Sequence, residues 1–316
     1  MDCTSPLFLL AFDHRQSLVR GLLDGDAARA EAVAPALKLL VLDGLRRAVA
    51  DGLPAGVAPE QVGVLVDDRY GDQAAAQARA EGFAVAVAVE RTGQREVVFE
   101  HGDDGFAEHL SALSPAFAKV LVRFNPEDPD PAMNDRQLAL LRRLSAWCAE
   151  HPPGLLLELL VPPTDAQLAR CDGSGERYDA ELRPALVVRA MASMQAAGVA
   201  PDLWKIEGLE DERAARAVGA QALSGRAPAL CLVLGRGADD AKVDHWLRVA
   251  APVAGFAGFA IGRSIWWSAA RRWLAEELDA DLAAAEIAGA YRRAVASYQH
   301  ASAADPSRTA SVNPQR

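Results

Sequence analysis

Lysine is scarce in this chain: of 33 basic residues in 316, four are lysine, namely Lys38, Lys119, Lys205 and Lys242. Arginine stays protonated in proteins, so a lysine kept inside an apolar strand marks a place where the amine itself is of chemical use. Two such positions stand out, Lys119 in FAKVLVR and Lys205 in DLWKIE, and Glu158 lies in the apolar run LLELLV between them. The two-residue period of a strand puts Lys119, Leu121 and Arg123 on one face, as it does Leu156, Glu158 and Leu160, and Leu203, Lys205 and Glu207. An amine must be neutral to attack a carbonyl, and burial or a second nearby cation favours that form. The protonated imine that results is an electron sink for breaking the adjacent carbon–carbon bond, with a carboxylate to carry protons. This is class I aldolase chemistry. The other reading of the trio is an interior network of structural ion pairs.

Further polar residues fall at the ends of apolar runs: Asp13 and Gln16, Asp67 and Asp68, Glu90, Arg123 and Asn125, and Glu207. Gly235-Arg236-Gly237 and Gly262-Arg263 close the last two runs, and open backbone N–H groups beside guanidiniums suit a phosphate. The six histidines show no pair on neighbouring strand ends, so a metal-dependent aldolase lacks its ligands and no metal or cofactor is expected. Asp13, Asp67, Asp68 and Glu90 as a magnesium site is the alternative. No Gly-x-Ser-x-Gly motif supports a hydrolase.

Eight candidate strands hold these residues, at 7–12, 62–67, 83–89, 117–123, 155–161, 202–207, 229–234 and 256–261. Amphipathic stretches at 27–52, 73–81, 136–150, 181–197, 210–224, 240–251 and 278–299 separate them and read as helices. Alternation of this kind implies βαβ units, and eight strands point to a single-domain (β/α)8 TIM barrel over residues 1–300, an α/β fold whose sites lie at the carboxyl ends of the strands. No Gly-rich dinucleotide fingerprint follows the first strand. Segment 90–105 reads as an excursion with a short extra strand, residues 162–180 as a polar loop, and 301–316 as a disordered tail. Trp266-Trp267 is expected to pack a helix against the barrel.

Composition narrows the partners. A net charge of -10 argues against nucleic acid or an anionic membrane surface. No apolar run reaches the ~20 residues of a membrane span, and LFLLAF is too short for a signal peptide. The cysteines (Cys3, Cys148, Cys171, Cys231) have no CxxC spacing and read as reduced thiols of a cytoplasmic protein, with homo-oligomerisation left open.

The motifs LLAFDHRQS, LVDDRYG, AVERTGQ, FAKVLVRFNP (with Asn134 and Gln137 downstream), LLLELLVPPT, YDAELRP, GVAPDLWKIEGLE, LVLGRGAD and GFAGFAIGRSIWW occur in this order. Together the stretch from about residue 6 to 299 resembles the 2-deoxy-5-keto-gluconate 6-phosphate aldolase domain of bacterial inositol catabolism, kinase-fused in relatives. More distantly it is similar to the class I tagatose bisphosphate aldolase group. The resemblance implies a small-molecule phosphorylated keto sugar or keto sugar acid cleaved to dihydroxyacetone phosphate and malonate semialdehyde. It implies that Lys205 forms the imine, with Lys119 and Glu158 beside it for proton transfer. It matches Asp13, Arg15 and Ser17 to a D-x-R-x-S turn, sets Gln16 near substrate, and gives Gly262-Arg263 a phosphate. A non-catalytic sugar-phosphate sensor on the same barrel is the alternative from a different class.

Overall fold

The computed structural model describes residues 5–225 and 227–303. Eight parallel strands close into a barrel in sequence order: β1 (Leu7–Ala11), β2 (Val62–Val66), β3 (Ala84–Ala88), β4 (Phe117–Arg123), β5 (Gly154–Leu160), β6 (Leu203–Glu207), β7 (Leu230–Leu234) and β8 (Phe256–Ile261), with β8 returning to β1. The helices are α1 (Gln16–Leu22), α2 (Ala27–Ala50), α3 (Asp68–Ala80), α4 (Gly102–Leu113), α5 (Pro131–Glu150), α6 (Asp165–Arg170), α7 (Gly175–Arg177), α8 (Arg183–Ala196), α9 (Glu212–Leu223), α10 (Asp240–Ala250), α11 (Arg263–Leu274) and α12 (Ala280–Ala303). The fold is the (β/α)8 barrel that the strand pattern predicts.

Alternation builds two cores. Outward strand residues such as Phe8, Val64, Val120, Leu157, Trp204 and Phe259 pack against the helices. Inward ones, among them Leu9, Leu65, Ala86, Leu156, Leu203 and Leu232, fill the barrel below the site. Several helices start on an aspartate whose carboxylate accepts the first-turn N–H: Asp67 for α3, Asp130 for α5, Asp211 for α9 and Asp239 for α10. Such a cap contributes ~1 kcal/mol and fixes the angle at which each loop leaves its strand. Asp67 therefore has a helix to cap and, as shown below, an ion-pair partner.

Helices α1 and α4 lie outside the stretches read as helical, and α11 is the helix that carries Trp266 and Trp267. The excursion after β3 is real and carries one antiparallel bridge, Glu90 to Phe99, in place of a full strand. Residues 162–180, expected as loop, hold α6, α7 and the start of a π-helical turn, Tyr178–Leu182. Helix α12 continues through Ala303, so residues 301–303 are helical where a disordered tail is expected; residues 304–316, the rest of that expectation, lie outside the described residues. Cys148, Cys171 and Cys231 are free thiols. Among the described residues no helix is long and apolar enough to cross a membrane.

Candidate active site

Lys119 stands at the centre of the site. It points inward from β4 and is 1% exposed. Its Nζ donates to Asp13 Oδ2 at 2.7 Å and Glu90 Oε1 at 2.8 Å, and lies 2.8 Å from Glu158 Oε2. Burial opposes the charge of this ammonium, but Asp13, Glu158 and Glu90 together outweigh it and hold its pKa well above the ordinary lysine value. The ammonium form of Lys119 is thus favoured. Asp13 is its counterpart: burial pushes the carboxyl up, and Lys119, then Lys205, drive it below the usual carboxylate range.

Lys205 differs. In sheet register it sits opposite Glu158, whereas Lys119 sits opposite Leu156. Among the described residues its one ion pair is to Glu158 Oε2, at 3.0 Å, the same oxygen that Lys119 approaches. The two amines therefore share a single carboxylate oxygen. Burial raises the Glu158 pKa, but Lys119 and Lys205 more than offset this, so the group stays ionised. The amines and carboxylates open on a cavity of about 740 Å³ at the carboxyl ends of the strands, a volume suited to a small metabolite.

The rim carries most of the arginines and glycines singled out from the sequence. Arg15, Gln16, Arg123, Gly235, Arg236, Gly237, Gly262 and Arg263 all line the cavity. Arg15 is committed inward, its Nη2 donating to the Glu90 carbonyl at 2.7 Å and its Nη1 to Glu100 at 3.3 Å. Gln16 packs on Gly93 so closely that a Cβ there would stand 2.2 Å from its Oε1. Arg123 donates to the Gln94 carbonyl at 3.1 Å. Asn125 is elsewhere: its Nδ2 donates to the Pro162 carbonyl and to Gln167, tying two loops together, and it does not line the cavity. That placement corrects its reading as a ligand contact.

The two Gly-Arg motifs converge, but their arginines differ in charge environment. Arg236 is paired to Asp179 at 2.6 Å and to Glu207 at 3.1 Å. Arg263 donates to the Arg236 carbonyl at 2.6 Å, has its Nε buried without a hydrogen bond, and lies over the Trp267 ring. Burial lowers its pKa, and among the described residues it has no ion pair with a carboxylate. Gly237 is required here: its φ is +77°, and a Cβ would stand 2.7 Å from the Arg263 Cζ. Gly262 is required too, since a Cβ would meet the Ala11 carbonyl at 2.1 Å. Trp266 is fully buried and donates to that carbonyl, whereas Trp267 faces the cavity.

Against this geometry the comparisons can be weighed. Residues 2–302 match the family described as "Uncharacterized protein conserved in bacteria (DUF2090)". The chain belongs to the DUF2090 family. No curated protein matches it. Among solved structures, this DUF2090 chain is similar to Cgl0159 from Corynebacterium glutamicum (22% identity, TM-score 0.56, covering 92% of this chain and 85% of that one). It is also similar to fructose-bisphosphate aldolase from Plasmodium falciparum (13%, 0.59, 93% and 91%). An archaeal fructose 1,6-bisphosphate aldolase gives 16%, 0.56, 93% and 96%. At these identities the likeness is one of fold, a barrel of the kind those aldolases use.

Sequence reasoning placed Lys119, Glu158 and Lys205 on consecutive strands but did not bring Asp13 and Glu90 to Lys119. It also missed Tyr178 and Asp179, which line the same cavity. The visible clue was Asp179 four residues before Arg183, a helical ion-pair spacing realised at 2.8 Å. The carboxylates weighed as a magnesium site have other partners: Asp13 and Glu90 bind Lys119, and Asp67 binds Lys38.

Proposed function

We propose that this DUF2090 chain is a carbon–carbon lyase of the class I aldolase type, with Lys205 as the imine-forming residue. The observation that carries the reading is two buried amines meeting on one Glu158 oxygen at the floor of a metabolite-sized cavity. The division of labour follows from their partners. Lys119, enclosed by three carboxylates, stays an ammonium. Lys205, with one, is the amine free to add to a ketone.

The neutral Nζ of Lys205 attacks the carbonyl carbon, and its proton reaches the departing oxygen through Glu158, which lies within 3.0 Å. The hydroxyl leaves as water, taking up one proton from solvent that the final hydrolysis returns, and the iminium remains. The bond between the α and β carbons then breaks, its electron pair entering the iminium, while Glu158 takes the proton of the β-hydroxyl and the aldehyde departs. Protonation of the enamine carbon and attack by water release the ketone and restore the amine. Lys119 compensates negative charge throughout, and Asp13 and Gln16 orient hydroxyls. Arg263, with the Gly235–Gly237 and Gly262 backbone, supplies the phosphate end.

The substrate class is a phosphorylated keto sugar or keto sugar acid, with 2-deoxy-5-keto-gluconate 6-phosphate as the specific compound, giving dihydroxyacetone phosphate and malonate semialdehyde. The fold shared with two fructose-bisphosphate aldolases supports the reaction type, and the motif resemblance supports the substrate. Borohydride reduction in the presence of dihydroxyacetone phosphate tests it: mass spectrometry is expected to map a stable adduct to the peptide containing Lys205. A modified peptide without Lys205, or no adduct, would overturn the assignment.

A further inference from the structure

A second cluster with metal-ligating chemistry lies outside the aldolase cavity. Asp68 opens α3, His101 precedes α4, and His109 lies eight residues further along. The tips of these three side chains converge within 4.8 Å of one another. The Nε2 atoms of His101 and His109 approach the same oxygen, Asp68 Oδ2, at 2.9 and 2.8 Å. Their rings stack, with centroids 3.7 Å apart and planes at 29°.

Two imidazoles on one carboxylate oxygen are poorly served as hydrogen-bond donors. His109 Nε2 is buried and lies 2.8 Å from Asp68 Oδ2 outside hydrogen-bond geometry, so its ring nitrogen has no well-directed partner among the described residues. Around a tetrahedral ion with bonds of ~2.0–2.1 Å, ligand atoms stand about 3.3 Å apart. From 2.8–2.9 Å each nitrogen–oxygen pair reaches that spacing by a shift of about half an ångström, and all three ligand atoms already lie within 4.8 Å of one another. His101, 41% exposed, leaves an open approach for the ion and for a water as fourth ligand.

We propose that Asp68, His101 and His109 form a binding site for one late first-row divalent cation of the zinc type. Two imidazole nitrogens select such ions over magnesium and calcium, which prefer oxygen. The site joins the start of α3 to the far end of the 90–101 excursion. Glu100, the residue before His101, receives Arg15 at 3.3 Å, so the bound ion fastens the segment that forms one wall of the cavity. No step of the proposed cleavage passes through it.

The test uses the full chain stripped with EDTA and desalted. Calorimetric titration with zinc is expected to show one saturable site per chain and a rise in Tm, with magnesium giving neither. His109→Ala and Asp68→Asn should each weaken zinc binding at least tenfold, while His300→Ala, remote from the cluster, leaves it unchanged. Cobalt(II) added to the unmutated protein should give the intense visible absorption of a four-coordinate ion, a readout that needs no variant to fold. Zinc is also expected to slow amide exchange across 90–101. Absence of an equimolar site, binding indifferent to both variants, or the pale spectrum of hydrated cobalt would overturn the site; binding without slowed exchange would overturn the fastening. Stripped protein should still be trapped by borohydride, so the two proposals fail separately.

Discussion

The difference between Lys119 and Lys205 lies in their partners. Removing a buried cation from a cluster of carboxylates leaves those charges uncompensated, at a cost of ~3–5 kcal/mol. Lys119→Met, which takes from Asp13 its lysine and leaves Glu90 with Arg15 and Glu158 with Lys205 as their remaining cations, is therefore expected to lower the urea midpoint markedly, by a free energy of that order. Lys205→Met strands one carboxylate that still has Lys119 beside it, and should abolish borohydride trapping with a smaller loss of stability. Equal losses in the two variants would refute this division. His14 gives a pH signature. Burial, opposed by Asp13 and reinforced by Lys38, pulls its pKa from 6.5 to about 3. Between these values the unfolded chain binds a proton that the folded chain does not, so this contribution is present above pH ~6.5 and declines as pH falls towards 3. With the side chain one-fifth exposed, the decline from pH 7 to pH 4 is on the order of 2–3 kcal/mol. His14→Gln should remove that part of the acid sensitivity, as measured by urea unfolding at both pH values; an unaltered pH dependence would disprove it.

At the scale of elements, the strands were legible to within about a residue, because alternation and turn residues mark both ends of runs such as FAKVLVR. The same alternation placed Lys119, Glu158 and Lys205 on the inner face. Helices were less legible where periodicity is short or polar: α1 has seven residues, and α4 begins in GDDGF. Contacts between distant segments left no local trace. Asp13 reaches Lys119 across 106 residues, and His101 meets Asp68 across 33, with α3 and β3 between them. Lys38 is the same kind of feature. Fully buried on α2, it ion-pairs with Asp67 and donates to the carbonyls of Phe12 and His14, the latter at 2.9 Å. It thereby holds the turn bearing Asp13. Lys38→Met should destabilise by ~3–5 kcal/mol by leaving Asp67 buried and unpaired. Lys38→Met combined with Asp67→Asn, which removes the buried charge and keeps a side-chain oxygen to cap α3, should recover part of that loss. A double variant no more stable than the single would show that the carbonyl contacts, and not the ion pair, carry the effect.

The whole molecule is acidic, with a net charge of -10, yet the proposed substrate is an anion. These are reconciled by range. At physiological salt the Debye length is ~8 Å, so distant carboxylates are largely screened while charges lining the cavity are not. Its carboxylates are mostly spoken for: Asp13, Glu90 and Glu158 by Lys119, and Glu207 and Asp179 by Arg236. Arg263 stands beside the Gly235–Gly237 loop and, among the described residues, has no carboxylate of its own. A charge-assisted hydrogen bond to phosphate is worth ~1.5–3 kcal/mol. Arg263→Gln is accordingly expected to weaken binding of dihydroxyacetone phosphate by about 10- to 100-fold in calorimetric titration. Arg20→Gln, at an exposed position on the rim, removes only a screened charge and should change affinity less than threefold at that salt. Lowering the ionic strength should widen the effect of Arg20→Gln, because its field then reaches further, while the loss in Arg263→Gln, which depends on direct contact, persists at every salt concentration. Equal losses in the two variants would place the phosphate away from Arg263.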